Sequence, residues 1–150
     1  MNELKSLLKK LENKTFSDIL SENGINVLEV DSLPQNTDSM ALFTNDIFIR
    51  KNLDEYYKKF LILHELGHIF LHYDGSLNFC NTVRLKNKKM EKEANDFACY
   101  YLIKDEYIQD INIIELLKSK GVPDNIATQF YDNHEYNKYF SEISSELYLC

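Results

Sequence analysis

The sequence has few of the residues that interrupt regular structure. Among its 150 residues there are only 4 glycines and 2 prolines, Pro34 and Pro123. It also lacks internal repeats, low-complexity runs and linker-like stretches. A chain of this length suits one domain with a core of modest size. We therefore expect a single domain over residues 1–150.

Cysteine and long apolar runs are also scarce. The 3 cysteines are Cys80, Cys99 and Cys150, and none lies at metal-ligand spacing from another cysteine or a histidine. An odd number cannot form a complete disulfide framework, which favours a reduced, cytoplasmic setting. No apolar run approaches the roughly 20 residues needed to span a bilayer. Since Met1–Ser6 lacks an apolar core segment, we expect no secretory signal and no membrane association.

Acidic residues outnumber basic ones. The formal net charge is −7 and the sequence pI is about 5.1, so direct binding to nucleic acid through bulk electrostatics is not expected. Hydrophobic residues make up 44% and charged residues 27%, both ordinary for a globular protein. We expect a monomer or a weak dimer.

The most informative stretch is Leu61–His72, which contains His64-Glu65-Leu66-Gly67-His68. Residues four apart on a helix lie close together on one face, so His64 and His68 can bind one metal ion. Glu65 follows the first histidine and can reach a water on that ion. Two ligands and a base are what metal-assisted hydrolysis requires. The other residues of the stretch are apolar, as in a buried helix, where ionisable groups need partners.

A catalytic zinc site usually has a third protein ligand. His72 continues the histidine series, but a straight helix places it about 12 Å from His64 along the axis, too far for one ion. His134 lies in a polar tail segment. Glu93 lies on a separate predicted helix beside the small residue Ala94, where two helices can approach closely. We favour Glu93, although an ordinary exposed acid in the run Glu91-Lys92-Glu93 is the alternative.

The remaining patterns predict an α+β domain, mostly helical, with a small three-stranded twisted sheet beside the metal-binding helix. The strands are expected at 25–30, 40–43 and 47–49, with a hairpin at Thr44-Asn45-Asp46. Helices are expected at 2–14, from 16 to a stop at Asn23-Gly24, at about 52–72, from 89, at 110–120, from 123 and from 133. The strand Ile47-Phe48-Ile49 precedes the metal helix, so we expect it to be an edge strand. Such a strand either binds an extended substrate peptide or only packs on the helix.

Two motifs together resemble one known family. His64-Glu-Leu-Gly-His68 with His72, followed by Glu93-Ala-Asn-Asp-Phe-Ala98, resembles the ImmA/IrrE family of small metallopeptidases. The resemblance covers roughly residues 16 to 131. It departs from the family pattern at Lys104, where a proline is common, and at Gln129, where an arginine is common.

The resemblance implies a small zincin-like, minimal gluzincin domain. It implies a core over about 16–103 and a helical region over about 104–150. It also implies one zinc ion on His64, His68 and Glu93, with Glu65 as the base. The same ligands also suit Mn²⁺ or Fe²⁺. His72 is then a supporting histidine behind the ligands or a core residue.

Family members commonly act on helix-turn-helix repressors, so the resemblance implies a zinc endopeptidase of narrow specificity. Its expected substrate is a DNA-binding repressor of a prophage, mobile element or stress response. One alternative is a peptidase that stays latent until a partner activates it. Another is a non-proteolytic antirepressor that sequesters a regulator through its acidic C-terminal region and uses the metal only for structure.

Overall fold

The computed structural model of the chain describes residues 2–42, 45–72, 88–106 and 112–133. These residues form six α-helices and one three-stranded sheet, which confirms the predicted α+β class. In chain order the elements are α1 Asn2–Leu11, α2 Phe16–Glu22, β1 Asn26–Val30, β2 Ser39–Ala41, β3 Asp46–Arg50, α3 Glu55–His72, α4 Lys88–Ile103, α5 Ile113–Ser119 and α6 Asp124–Asp132.

Side chains at the helix starts account for where α2 and α3 begin. The hydroxyl of Thr15 accepts from the Asp18 backbone N–H at 3.1 Å, and the Asp18 carboxylate accepts from the Thr15 N–H at 3.3 Å. The carboxylate of Asp54 accepts from the N–H groups of Tyr56 and Tyr57 at 3.0 and 3.2 Å. These bonds satisfy donors that a helix start otherwise leaves unpaired. From its start, α3 continues without a break into the histidine motif, as predicted.

The sheet has the strand order β1-β3-β2. β1 pairs parallel with β3, and β2 pairs antiparallel with it across the predicted hairpin, where Asn45 has a φ of 65°. The prediction that Ile47, Phe48 and Ile49 form an edge strand is therefore wrong, because β3 is paired on both sides. Ile47 and Ile49 are fully buried against the helices, as suits a central strand.

The edge strand beside the histidine helix is β2. The Asp38 carbonyl accepts from Arg50 N–H at 3.0 Å, and Leu42 N–H donates to the Asp46 carbonyl at 2.9 Å. Hydrogen-bonded positions alternate in an antiparallel pair, so the backbone groups of Ser39 and Ala41 point away from β3. Within the described ranges no strand pairs with that side of β2.

Helix α3 lies in the middle of the fold, against the sheet on one side and α4 on the other. Leu63, Leu66 and Phe97 are fully buried in the core that these elements share. Opposite Gly67, α4 comes so close that a Cβ added there would lie 3.0 Å from Ala94 Cα. The predicted close approach at Ala94 is thus present, and it involves a glycine of the histidine motif.

Helices α5 and α6 pack against α4 through buried apolar residues, including Leu117, Ala127 and Phe130. The loop between them passes close to the start of α3, since a Cβ on Gly121 would clash with the backbone of Tyr56. The helix predicted from residue 133, together with His134, lies outside the described residues. Among the described helices, none is both long and apolar enough to cross a membrane.

Candidate metal centre

The two motif histidines turn the same ring nitrogen towards one point. His64 Nε2 and His68 Nε2 lie 3.2 Å apart on consecutive turns of α3. The His68 side chain is fully buried and that of His64 is 12% exposed. The helical spacing therefore produces the predicted pair of converging nitrogens.

The outer ring nitrogens of both histidines have partners. His64 Nδ1 lies 2.7 Å from the Asn95 side-chain oxygen, and His68 Nδ1 lies 2.9 Å from His72 Nδ1. A carbonyl oxygen only accepts, so Nδ1 of His64 carries the proton and donates it to Asn95. This tautomer leaves the lone pair on His64 Nε2, directed at the convergence point.

A carboxylate completes the cluster, and it belongs to Glu91. Its two oxygens lie 3.3 Å from His64 Nε2 and 2.9 Å from His68 Nε2. Burial raises the pKa of Glu91, whereas the N–H groups and positive charge of His64 and His68 in their protonated forms lower it well below its usual range. The carboxylate is thus an anion at neutral pH, as a metal ligand must be.

Glu93 does not reach this point. Its Oε2 lies 3.4 Å from Nε2 of His72, and its Oε1 lies 3.9 Å from the Lys89 ammonium. Two positions apart on one helix, Glu91 and Glu93 point about 200° away from each other around the axis, so only one can face the motif histidines. The geometry therefore disagrees with the prediction of Glu93 as third ligand and favours Glu91.

The spacing of these atoms fits a divalent metal ion. Ligands about 2.0–2.1 Å from a tetrahedral ion are separated from each other by about 3.3 Å. The measured separations among His64 Nε2, His68 Nε2 and the Glu91 oxygens are 3.2, 3.3 and 2.9 Å. The carboxylate oxygens and the lone pair of His64 Nε2 are acceptors, and a cation between them offsets their mutual repulsion. The donor set therefore fits one metal ion.

Glu65 lies beside this cluster, on the same helix as the two histidines. Its side chain is 1% exposed, and one of its oxygens lies within 4.8 Å of ligand atoms of His64 and His68. We expect this carboxylate to face a water on the ion, the role that the H-E-x-x-H pattern gives it.

A cleft of about 430 Å³ opens onto the cluster. Its walls come from α3, α4, the segment before β2 and the start of α6. The lining residues are Asn36, Thr37, Asp38, Ser39, Tyr57, Phe60, Leu61, His64, Glu65, Glu91, Asn95, Pro123 and Ile126. Ser39 is one of the two β2 residues whose backbone faces outwards, so the edge strand and the histidines share one cleft.

An ion-pair network fixes the segment before β2. The Asp38 carboxylate pairs with the Arg50 guanidinium at 2.8 Å and accepts the Tyr57 hydroxyl at 2.8 Å. Burial and the bond to Asp38 raise the pKa of Tyr57 to about 12. Sequence reasoning did not find these three residues, because they are far apart in sequence and match no motif.

Neither of the two tyrosines on α4 is among the residues that line the cleft. The Tyr101 hydroxyl donates to the Lys14 carbonyl at 2.8 Å, and the Tyr100 ring packs edge-on against Phe130. The Tyr101 hydroxyl is thus bonded away from the metal cluster. Asn95 was also missed, although one signal marks it together with Glu91. Both share the helix face of Ala94, the small residue already expected at a close helix contact.

Comparison with known protein families identifies the family to which this chain belongs. The sequence profile of a peptidase family, described as the IrrE N-terminal-like domain, matches residues 20–130. The chain belongs to this family. Comparison with curated proteins and with solved structures finds no significant match. The family is one of metallopeptidases, in agreement with the resemblance noted in the sequence, and the matched range includes α3, α4 and the whole metal cluster.

Tyr57→Phe tests the network before β2. Loss of the hydroxyl should lower the free energy of unfolding by about 1 kcal/mol at neutral pH, the usual contribution of one such hydrogen bond. The phenol of Tyr57 stays neutral in the fold until about pH 12. Its stabilisation is therefore complete below about pH 10, the usual tyrosine pKa, and is lost as the pH rises towards 12.

Urea unfolding of both proteins at pH 7 and pH 11.5 measures this effect. The stability difference between them should shrink at the higher pH. An equal difference at both pH values would show that the Tyr57–Asp38 bond does not hold the segment.

Proposed function

We propose that this protein is a metal-dependent endopeptidase of narrow specificity, with one ion held by His64, His68 and Glu91. The observation that carries the proposal is the convergence of two lone-pair nitrogens and one carboxylate at 2.9–3.3 Å, beside a further buried carboxylate. Two histidines and a glutamate are a known ligand set for catalytic zinc. We infer zinc as the ion, while Mn²⁺ and Fe²⁺ suit the same ligands.

When bound, the ion lowers the pKa of a water molecule and polarises the scissile carbonyl. Glu65 accepts the proton of the attacking water and returns it to the leaving amine. Its burial beside the histidines keeps bulk water from competing for that proton. Asn95 holds the ring of His64 in the orientation that this chemistry needs.

We propose that the substrate binds as an extended strand along β2. The outward N–H and C=O groups of Ser39 and Ala41 can pair with a peptide, as in other cases of strand addition. The Asp38 network presents this edge at the cleft that contains Glu65. This replaces β3 as the candidate substrate-binding strand.

We propose as substrate a DNA-binding repressor of the helix-turn-helix type. Two features support this: the resemblance to the ImmA/IrrE family, and a cleft of about 430 Å³ beside a single edge strand. A small cleft with a single edge strand suits a selected sequence better than general digestion. Of the acidic C-terminal stretch that the sequestering alternative requires, residues 134–150 lie outside the described part of the chain.

Glu65→Gln should abolish cleavage of a helix-turn-helix repressor, the first candidate being any that is encoded beside this gene, while metal content and fold are kept. The amide has nearly the shape of the carboxylate but cannot take up the water proton. Co-expression of the repressor with wild-type or variant protein, followed by mass spectrometry of the fragments, measures the effect. Zinc content and thermal unfolding of the purified variant serve as controls.

Cleavage by the Glu65→Gln variant at the wild-type rate would remove Glu65 from the mechanism. Chelation separates the enzyme from the sequestering alternative. Stripping the metal should stop cleavage, whereas a binder with a structural ion, if it stayed folded, would still hold the uncleaved repressor. Stable binding without any cleavage by the metal-loaded protein would contradict the proposal.

Ser39→Pro tests the edge strand. Proline removes the outward N–H of Ser39, which makes no bond to β3, so the sheet should remain intact while strand addition loses one hydrogen bond. We expect KM for a peptide spanning the cleavage site to rise about tenfold, since one such bond contributes about 1.4 kcal/mol. Ser39→Ala keeps the N–H and is the matched control. Equal KM values for both variants, with both folded, would place the substrate elsewhere.

A further inference from the structure

We propose that Glu93 and His72 form a hydrogen-bonded relay behind the metal ligand His68, so that both residues set the affinity for the ion without touching it. This proposal rests on the proposed metal centre. It assigns a positioning role to the two residues of the motif region that the ligand set does not use. The relay runs in the order Glu93, His72, His68, ion.

The chain of contacts is continuous across two helices. His68 Nε2 faces the cluster, and its Nδ1 lies 2.9 Å from His72 Nδ1. The other ring nitrogen of His72 lies 3.4 Å from Glu93 Oε2. The His72 side chain is only 7% exposed and that of Glu93 22%, so water screens these contacts weakly.

Metal binding fixes every proton along this chain. Nε2 of His68 must be unprotonated to bind an ion, so the ring proton resides on Nδ1 and is donated to His72 Nδ1. His72 accepts at Nδ1 and therefore carries its own proton on Nε2. That proton is directed at the carboxylate of Glu93. One arrangement of protons thus satisfies all three residues together.

The two histidine ligands therefore differ in the hydrogen-bond partner of their outer ring nitrogen. The outer nitrogen of His64 donates to a neutral amide, whereas that of His68 donates into a chain that ends at a carboxylate. An anion at the end of such a chain increases electron density on the ligating nitrogen and fixes the ring orientation. His68 should therefore be the more strongly binding histidine of the pair.

Metal affinity of four proteins tests the relay: wild type, His72→Leu, Glu93→Ala and the double variant. Competition with a chromophoric chelator gives the zinc dissociation constant of each. His72→Leu should weaken binding by about 10- to 100-fold, the usual effect of removing a partner of a metal-bound histidine. Glu93→Ala should weaken it less, by about three- to tenfold, since it acts one bond further away.

The double variant carries the sharpest prediction. Because Glu93 acts only through His72, its removal from the His72→Leu protein should change the affinity no further. If Glu93 were itself a ligand, its loss would weaken binding strongly and equally in both backgrounds, which would overturn the relay. Unchanged affinity in His72→Leu would also overturn it.

Three further measurements separate the relay from simple packing. His72→Asn keeps an acceptor oxygen near the position of Nδ1 and should recover most of the affinity that His72→Leu loses. Glu115→Ala removes the same charge and a similar lysine contact on α5, and should leave affinity unchanged. Visible spectra of the Co²⁺-loaded proteins should shift for His72→Leu and not for Glu115→Ala. Equal affinities for His72→Asn and His72→Leu would assign His72 to packing alone.

The experiments distinguish failure of the proposed metal centre from failure of the relay. A wild-type protein that takes up no stoichiometric ion would overturn the proposed function and the relay together. A wild-type protein that binds one ion while His72→Leu, Glu93→Ala and the double variant all leave its affinity unchanged would overturn the relay alone. Thermal unfolding of each metal-free protein shows whether a substitution has altered the fold itself.

Discussion

Helices α3 and α4 approach each other so closely at Gly67 and Ala94 that a Cβ at Gly67 would lie 3.0 Å from Ala94 Cα, a contact relieved only if α4 moves by a few tenths of an ångström. This contact fixes the distance and the rotation of the two helices. Glu91 lies one turn before Ala94, and Asn95 directly follows it, so both face the histidine helix. The contact therefore assembles a metal cluster from two helices that are far apart in sequence.

The strand order of the sheet determines which strand lies beside the site. Because β3 is central, it carries the fully buried Ile47 and Ile49 and anchors α3. The short strand β2 is left at the edge, where Ser39 lines the cleft. Asp38 connects this edge to both β3 and α3 through Arg50 and Tyr57. The cleft wall and the histidine helix are thus linked directly by side-chain contacts.

Several features of the fold and the site could be predicted from local sequence patterns. The histidine spacing predicts two converging nitrogens on one helix, and the structure confirms them at 3.2 Å. The positive φ of Asn45 and the close approach at Ala94 also follow from local rules. These features depend on neighbours within one turn of helix or one hairpin, where residue type and spacing determine geometry.

The choice between Glu91 and Glu93, and the position of β3, depend on tertiary packing. The two acids flank the same apolar stripe, and only the rotation of α4 against α3 determines which one faces the histidines. Similarly, the apolar alternation of Ile47 and Ile49 indicates one buried face, but not whether strands pair on both sides. The run of three histidines indicated one site, whereas His72 contacts its neighbours behind that site.

Anomalous diffraction at the zinc absorption edge from crystals of the zinc-loaded protein locates the ion directly. A single anomalous peak is expected within about 2.0–2.2 Å of His64 Nε2, His68 Nε2 and a Glu91 oxygen, with Glu93 on His72 behind it. A peak bound by Glu93 in place of Glu91, or a loaded crystal without a peak between the two histidines, would rule out this ligand set.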